Sequence, residues 1–337
     1  VIGERPAGAK PSAAVRSFPV PAPRVAPITG QSDRPMDNTG DRGYNLFSHN
    51  LTCRNSLVNQ GFTPEELNLA EQEIPEGIDI VVLADLKTPL SEVEQARLDA
   101  YIARGGNLYL LADMNRAGVM NPLAHTLGLE FGEDLLVQPT KDQDPTLLPA
   151  VIAESAAEIY PRFGKLRNYG YRMAVPGGVE IRPWGNDSTF RRIPLLVTDS
   201  EGVWNERETT DFIDDVPQFN PAAGERQGEY LLSVALTRRV GDKEQRIVVS
   251  GDADCISNSG LSARYWFASS NFSLISGAFR WMSYDQFPVD TSHPDPIDNE
   301  IRPGKPARKW NKIAMMGIVP GLLLLAGIAL IVQRQRG

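Results

Sequence analysis

Residues Ile313–Val332 read IAMMGIVPGLLLLAGIALIV, twenty residues without a charge. A bilayer core of roughly 30 Å is crossed by about 20 apolar residues of helix. In lipid the backbone polar groups must pair within their own segment, which leaves a helix as the single-segment solution. The stretch is apolar all round, unlike a surface helix, and lies at the opposite end of the chain from a signal peptide. A transmembrane helix is therefore expected over 312–333, followed by a basic tail over 334–337. Pro320 removes one backbone donor and should kink it. Gly317 and Gly321 give the GxxxG spacing that lets a second helix pack closely. Trp310 falls at interfacial depth.

Charge is distributed unevenly around this span. The whole chain carries −8, yet after Glu300 there is no acid and there are seven Lys or Arg. An acidic body disfavours nucleic acid as a partner, and a basic membrane-proximal tail suits the headgroups of a lipid bilayer. Arg302, Lys305, Arg308, Lys309 and Lys312 precede the span, against Arg334 and Arg336 after it. Taken alone, that count puts the soluble part in the cytoplasm. The chain opens on Val1, so an upstream membrane segment is expected, and it would override the count. Topology stays open at this level. Two cysteines, Cys53 and Cys255, make no disulfide framework, and whether they pair is open.

Residues 1–24 are Pro-rich without periodicity, a linker or irregular segment. A soluble α/β domain is expected over 25–286. Its 25–130 part should be a parallel α/β layer, and its 131–286 part β-richer and returning to the same sheet. Arg24–Ile28 reads as a first buried strand, leading into Thr29-Gly30-Gln31-Ser32-Asp33-Arg34. Tyr44, Phe47, Leu51 and Leu57 fall on one face of a helix ending near Gly61. Ile78–Ala84 (IDIVVLA) is a strand buried on both faces, ending at Asp85. Ser91 and Glu94 form a capping box that opens a helix through Leu98, Tyr101 and Ile102. After Gly105-Gly106 comes a second buried strand, Asn107–Ala112, ending at Asp113. Short connections make these two strands parallel.

Asn121–Leu129 is expected to be helical. Asp134–Gln138, Leu148–Ala153, Val179–Arg182 and Arg192–Thr198 are strand-like, and Val203–Asn220 is an acidic loop. Tyr230–Thr237 and Gln245–Ser250 form two strands turning at Gly241-Asp242. Asn271–Tyr284 is an amphipathic helix, and 287–311 is a Pro- and charge-rich linker.

Familiar catalytic motifs are missing. There is no G-x-x-x-x-G-K-[ST] phosphate loop, no G-x-G-x-x-G and no G-x-S-x-G, which removes P-loop, dinucleotide and nucleophile-elbow chemistry. His49, His125 and His293 lack zinc spacing. Cys53, inside the first expected helix, reads as an idle thiol. One constellation stands out. Asp85, Asp113, Asp252 and Asp254 each follow a buried strand, and carboxyl ends of strands form the ligand-binding edge of open α/β sheets. Gly30 and Asp33, in the first strand-end loop, would face the same edge. Converging carboxylates bind divalent cations, but aspartate is also an ordinary turn and cap residue. These six are the candidate ligand-binding residues; no catalytic residue, resident metal or cofactor is assigned.

The order of these features resembles the GldG-like auxiliary components of ABC transporters, a gliding-motility associated family. Thr29–Arg34 stands where that family carries a Gly-His-Gly-Glu type loop, with Gln31 and Ser32 in place of the His and Gly. Ile80–Leu90 with Ser91, and then Tyr101–Gly106, are similar to its strand, its P-L-S helix start and its R-G-G strand entry. Pro194–Thr198 with Trp204 resembles its Leu-Leu-x-Thr-Ser and Trp segment. Ser250-Gly251-Asp252-Ala253-Asp254, with Asn258 and Asn271, resembles its Gly-Asp-x-Asp…Asn block, Cys255 standing where an aromatic is usual. A single C-terminal span with trailing arginines fits as well.

The resemblance implies a mostly parallel, Rossmann-like sheet of the glutamine-amidotransferase-like kind, lacking that fold's catalytic cysteine, since the relevant strand ends Leu111-Ala112-Asp113-Met114. It further implies an extracytoplasmic body at the bacterial inner membrane, associated with an ABC permease and a separate ATPase subunit. Against a non-catalytic accessory subunit stand two alternatives. One is a hydrolase or carboxylate-metal enzyme at the Asp-rich edge. The other is an extracytoplasmic glycan sensor stacking sugars on Trp184 and Trp204.

Overall fold

Strand β4 (Ile80–Ala84) is buried at every residue, and its side chains alternate between two apolar layers. Ile80, Val82 and Ala84 face one layer; Val81 and Leu83 face the other. A β-branched run buried on both faces requires cover on both sides of the sheet. The computed structural model describes residues 21–30, 34–140, 143–186, 189–209, 212, 216–265, 267, 269–287 and 310–336. The chain divides into two units, Val1–Val289 and Asp290–Gly337.

Among the described residues of the first unit, the main sheet has ten strands. Its parallel half contains β1 (Arg24–Thr29), β2 (Thr63–Pro64), β3 (Leu67–Asn68), β4, β5 (Asn107–Leu111) and β13 (Lys243–Ser250). Strands β2, β3 and β4 all pair with β1, and β4–β5–β13 continue in parallel. Beyond β13 the sheet runs antiparallel through β12 (Leu231–Val240), β10 (Arg191–Val197), β7 (Leu147–Ile152) and β8 (Arg172–Pro176). A smaller sheet orders β11 (Trp204–Glu206), β6 (Leu129–Val137) and β9 (Val179–Pro183). The fold is thus mixed α/β. The later half returns to the first sheet as expected, and adds antiparallel strands in nearly equal measure to the parallel ones.

The crossover from β4 to β5 is the helix Glu92–Ala103, opened by a complete Ser91–Glu94 capping box. It buries Leu98, Tyr101 and Ile102 against one sheet face, with Met120, Leu123 and Ala124 of the helix Ala117–Thr126. The opposite face is covered by the helix Asn271–Met282 through Leu274, Ile275 and Phe279. The hairpin of β12 and β13 turns at Gly241, whose φ of 61° is the left-handed conformation that suits glycine.

Four local expectations are corrected. Tyr44–Gly61 is not one helix. It is a short α-helix, Asn45–Ser48, turns, and a 3₁₀ segment Leu57–Gln60. Asn50 breaks the helix by accepting the Thr52 and Cys53 amides on its side chain, an Asx turn that competes with helical bonding. Leu51 is consequently 81% exposed, while Tyr44, Phe47 and Leu57 are buried. Cys53 therefore sits in a turn, and both cysteines are free thiols. Val203–Asn220 is not simply a loop, because β11 lies within it and pairs with β6.

The sheet edge at β8 is closed by a side chain. Asn271 accepts the Ala174 amide (2.9 Å) and donates to the Ala174 carbonyl (3.0 Å), doing what a neighbouring strand would do. Such closure protects an edge from pairing with another chain.

In the second unit, one helix, Trp310–Gln335, is long and apolar enough to cross a membrane. Its 26 residues span about 39 Å. Just before Pro320 the backbone passes through a π turn, Ala314–Ile318, with the Val319 amide reaching back to the Ala314 carbonyl. Local π adjustment is one way a helix accommodates a missing proline donor. The expected 1–24 segment falls outside the described residues as far as residue 20, as do residues 288–309 of the linker.

Candidate functional site

Strands β1, β4, β5 and β13 are neighbours and parallel, so their carboxyl ends open on one edge. There Asp85, Asp113 and Asp254 converge on a single guanidinium, that of Arg34. Arg34 Nε lies 2.8 Å from Asp85 Oδ2, and Nη2 donates to Asp113 Oδ2 at 2.7 Å. Nη1 donates to Asp254 Oδ1 and lies 3.4 Å from the Tyr44 hydroxyl. The Arg34 side chain is 3% exposed. A planar fork with donors on three edges can serve three carboxylates at once, which a lysine cannot.

Two more arginines complete the array. Arg116, which precedes the helix Ala117–Thr126, places Nε 2.8 Å from Asp85 Oδ1. Arg42 lies over the cluster from the exposed side, 3.2 Å from Asp113 Oδ2, with its side chain 59% exposed. The loop carrying Arg42 is held by Asn258, which donates to the Asn38 and Gly40 carbonyls and accepts the Leu46 amide. Gly43 is required in that loop because a Cβ would sit 2.2 Å from the Asn38 carbonyl oxygen.

Asp252 is 2% exposed. Its Oδ1 accepts the Asp254 amide at 2.8 Å, and its Oδ2 has no hydrogen-bond partner among the described residues. Oxygens of Asp113, Asp252 and Asp254 lie within 4.8 Å of one another. Burial raises the Asp252 pKa well above the ordinary range, and the charges of Asp113 and Asp254 raise it further. Burial also pushes Asp113 up to about 6 and raises Asp254. On Arg34, burial works against the charge, but Tyr44, Asp254, Asp85 and the Asp113 hydrogen bond outweigh it and its pKa is raised. Four carboxylates meet three guanidiniums here, and burial together with mutual repulsion disfavours charge most at Asp252.

Local backbone aims these groups. Asp85 adopts φ 46°, an uncommon conformation for a non-glycine residue, while its amide continues the ladder to the Leu111 carbonyl. Gly251 precedes Asp252 where β9 crosses. A Cβ there would lie 2.1 Å from the Val179 carbonyl oxygen.

The strand-end placement of Asp85, Asp113, Asp252 and Asp254 is as expected from sequence. Gly30 follows β1 with φ 94°, and the space beside it is bounded by Asn68. Asp33 lies outside the described residues. Arg34, Arg42 and Arg116 were not anticipated. The available signal was electrostatic: carboxylates at the ends of buried strands demand cations. Beside Arg34 lies a cavity of about 10 Å³, lined by Pro27, Thr29, Tyr44 and Val82 among others, room for about one water. Of the two tryptophans, Trp204 is buried and donates to Glu206, whereas Trp184 is 43% exposed and stacks on His125 at 3.8 Å.

No curated protein matches the chain. Among solved structures it is similar to the mmIFT52 N-terminal domain, with a TM-score of 0.52 and 13% identity over 80% of this chain and 100% of that one. That likeness concerns the fold alone. A putative ThuA-like protein from Parabacteroides merdae gives a TM-score of 0.42 at 10% identity, over 82% of this chain and 94% of that one, too distant to carry an argument. Residues 22–140, which supply Arg34, Asp85 and Asp113 of the cluster, match the family described as ABC-type uncharacterized transport system, and over that stretch the chain is similar to auxiliary components of ABC transporters.

Proposed function

We propose that this chain is a membrane-anchored, non-catalytic accessory subunit of an ABC transport system of the gliding-motility or export type. Its body binds a permease partner or the cargo, and a separate ATPase subunit supplies the energy. The observation that carries this reading is Arg34. At the strand-end edge, where α/β enzymes of this general design keep their reactive groups, the buried Arg34 guanidinium is paired with Asp85, Asp113 and Asp254. An edge built this way positions loops. The match over residues 22–140 to an auxiliary transport family supports the same view, as does the apolar helix Trp310–Gln335.

In this reading the body is extracytoplasmic at a bacterial inner membrane. Its sheet is a relative of the Rossmann-like, glutamine-amidotransferase-like folds, with Asp113 at the strand end where those enzymes approach their cysteine. Gly317 and Gly321 would pack the span against a permease helix. Purification from mild detergent tests the proposal. Co-elution of a permease and an ATPase is the expected result, and consistent recovery of the chain free of both would overturn it.

One observation favours a second reading, a divalent-cation site at Asp113, Asp252 and Asp254: their oxygens are close and Asp252 Oδ2 is unpartnered. Titration calorimetry with Mg²⁺ and Ca²⁺ decides it, because D252N and D254N should abolish any binding heat. Absence of heat from the parent protein removes this reading.

A further inference from the structure

The stretch Ile159–Val179 contains no acid and four arginines or lysines, in a chain whose net charge is −8. Its helix, Pro161–Asn168, buries Phe163 and Leu166 on the body and turns Arg162, Lys165 and Arg167 outward. Tyr169 and Tyr171 follow, 63% and 38% exposed. Two acids of the neighbouring segments are engaged: Glu158 by Arg191, and Asp199 by Arg172 at 2.8 Å. Arg167 also donates one Nη to the Ile152 carbonyl, which holds its guanidinium stem in place at the surface.

We infer that this basic, tyrosine-flanked face docks on the anionic lipid surface of the membrane in which the same chain is anchored; the inference rests on the membrane-anchor reading above. Two properties select that occupant. The first is chemical: lysine and arginine attract anionic headgroups, and tyrosine prefers the interfacial zone where one end of the ring is wet and the other apolar. The second is reach. Phe287 is buried against Phe62 and closes the body, and 22 residues separate it from Trp310. A chain of that length extends to at most about 75 Å. Tethering makes docking an intramolecular event, so even a weak surface attraction is populated.

The test uses the full chain reconstituted in nanodiscs of phosphatidylcholine alone or with three parts in ten phosphatidylglycerol. Hydrogen exchange of the 162–172 amides should be at least about fivefold slower in the anionic discs, since each basic residue at an anionic surface is worth about a fivefold change in population. High salt should remove the difference. The exposed double variant R162E/K165E should lose it, and Y169S/Y171S should reduce it with the charges intact. Equal exchange in both lipids, from protein that resists alkaline carbonate extraction, overturns the docking surface alone. Protection that appears only with a permease present and ignores lipid charge overturns it in favour of a protein partner. Release of the chain by carbonate overturns the anchor reading, and the docking inference with it.

Discussion

Arg34 Nε and Asp85 Oδ2 stand 2.8 Å apart with side chains 3% and 0% exposed, an ion pair sealed inside the edge of the main sheet. Such a pair recovers its desolvation cost only with good geometry and further hydrogen bonds, and removing one partner leaves an uncompensated charge. Arg34→Met should therefore lower unfolding stability by about 3–5 kcal/mol in urea titrations. Arg34→Lys keeps the charge but loses the fork that serves Asp85, Asp113 and Asp254 together, so it should fall between parent and R34M.

The raised pKa values of Asp113 and Asp252 have a pH signature. A carboxyl whose folded pKa lies above its unfolded value adds stability that is full at low pH and is lost as pH rises through the folded value. Burial pushes Asp113 up to about 6 and raises Asp252 well above the ordinary carboxylate range. The melting temperature should accordingly fall from pH 5 to pH 8. Asp252→Asn is nearly isosteric and does not ionise, so its decline over that range should be clearly shallower.

Asn271 joins three segments with one amide, bonding both backbone groups of Ala174 and donating to the Cys255 carbonyl at 3.3 Å. Asn271→Ala leaves those buried groups unpaired and opens the β8 edge. A loss of about 2–3 kcal/mol is expected, along with faster aggregation on warming, followed by light scattering.

Two glycines should respond in opposite directions. Gly251→Ala forces a Cβ to within 2.1 Å of the Val179 carbonyl oxygen, and should cost about 3 kcal/mol through backbone displacement next to Asp252. Gly118, inside the helix Ala117–Thr126, has open space beside it. Gly118→Ala should raise stability by about 0.5–1 kcal/mol. Parallel thermal melts of the two variants check both signs.

Much of the architecture was legible in local pattern. The apolar run of β4, the Ser91–Glu94 capping box and the 20-residue span each encode their conformation in neighbouring residues, where backbone propensity and hydrophobic period act. The strand character of β12 and β13 was readable for the same reason. The failed helix at Tyr44–Gly61 marks the limit of such reading: apolar spacing was right for three of its four positions, but the Asn50 side chain outbid helical bonding.

By itself, then, the sequence determined the central buried strands, the capped crossover helix and the membrane-length segment, and that four aspartates would follow buried strands. Only the tertiary structure decided what those aspartates face. Arg34 meets Asp85, Asp113 and Asp254 across separations of 51, 79 and 220 residues, contacts that no periodicity encodes. They exist because the parallel order of β1, β4, β5 and β13 brings four strand ends together, and because buried carboxylates are tolerated only where a cation is brought among them.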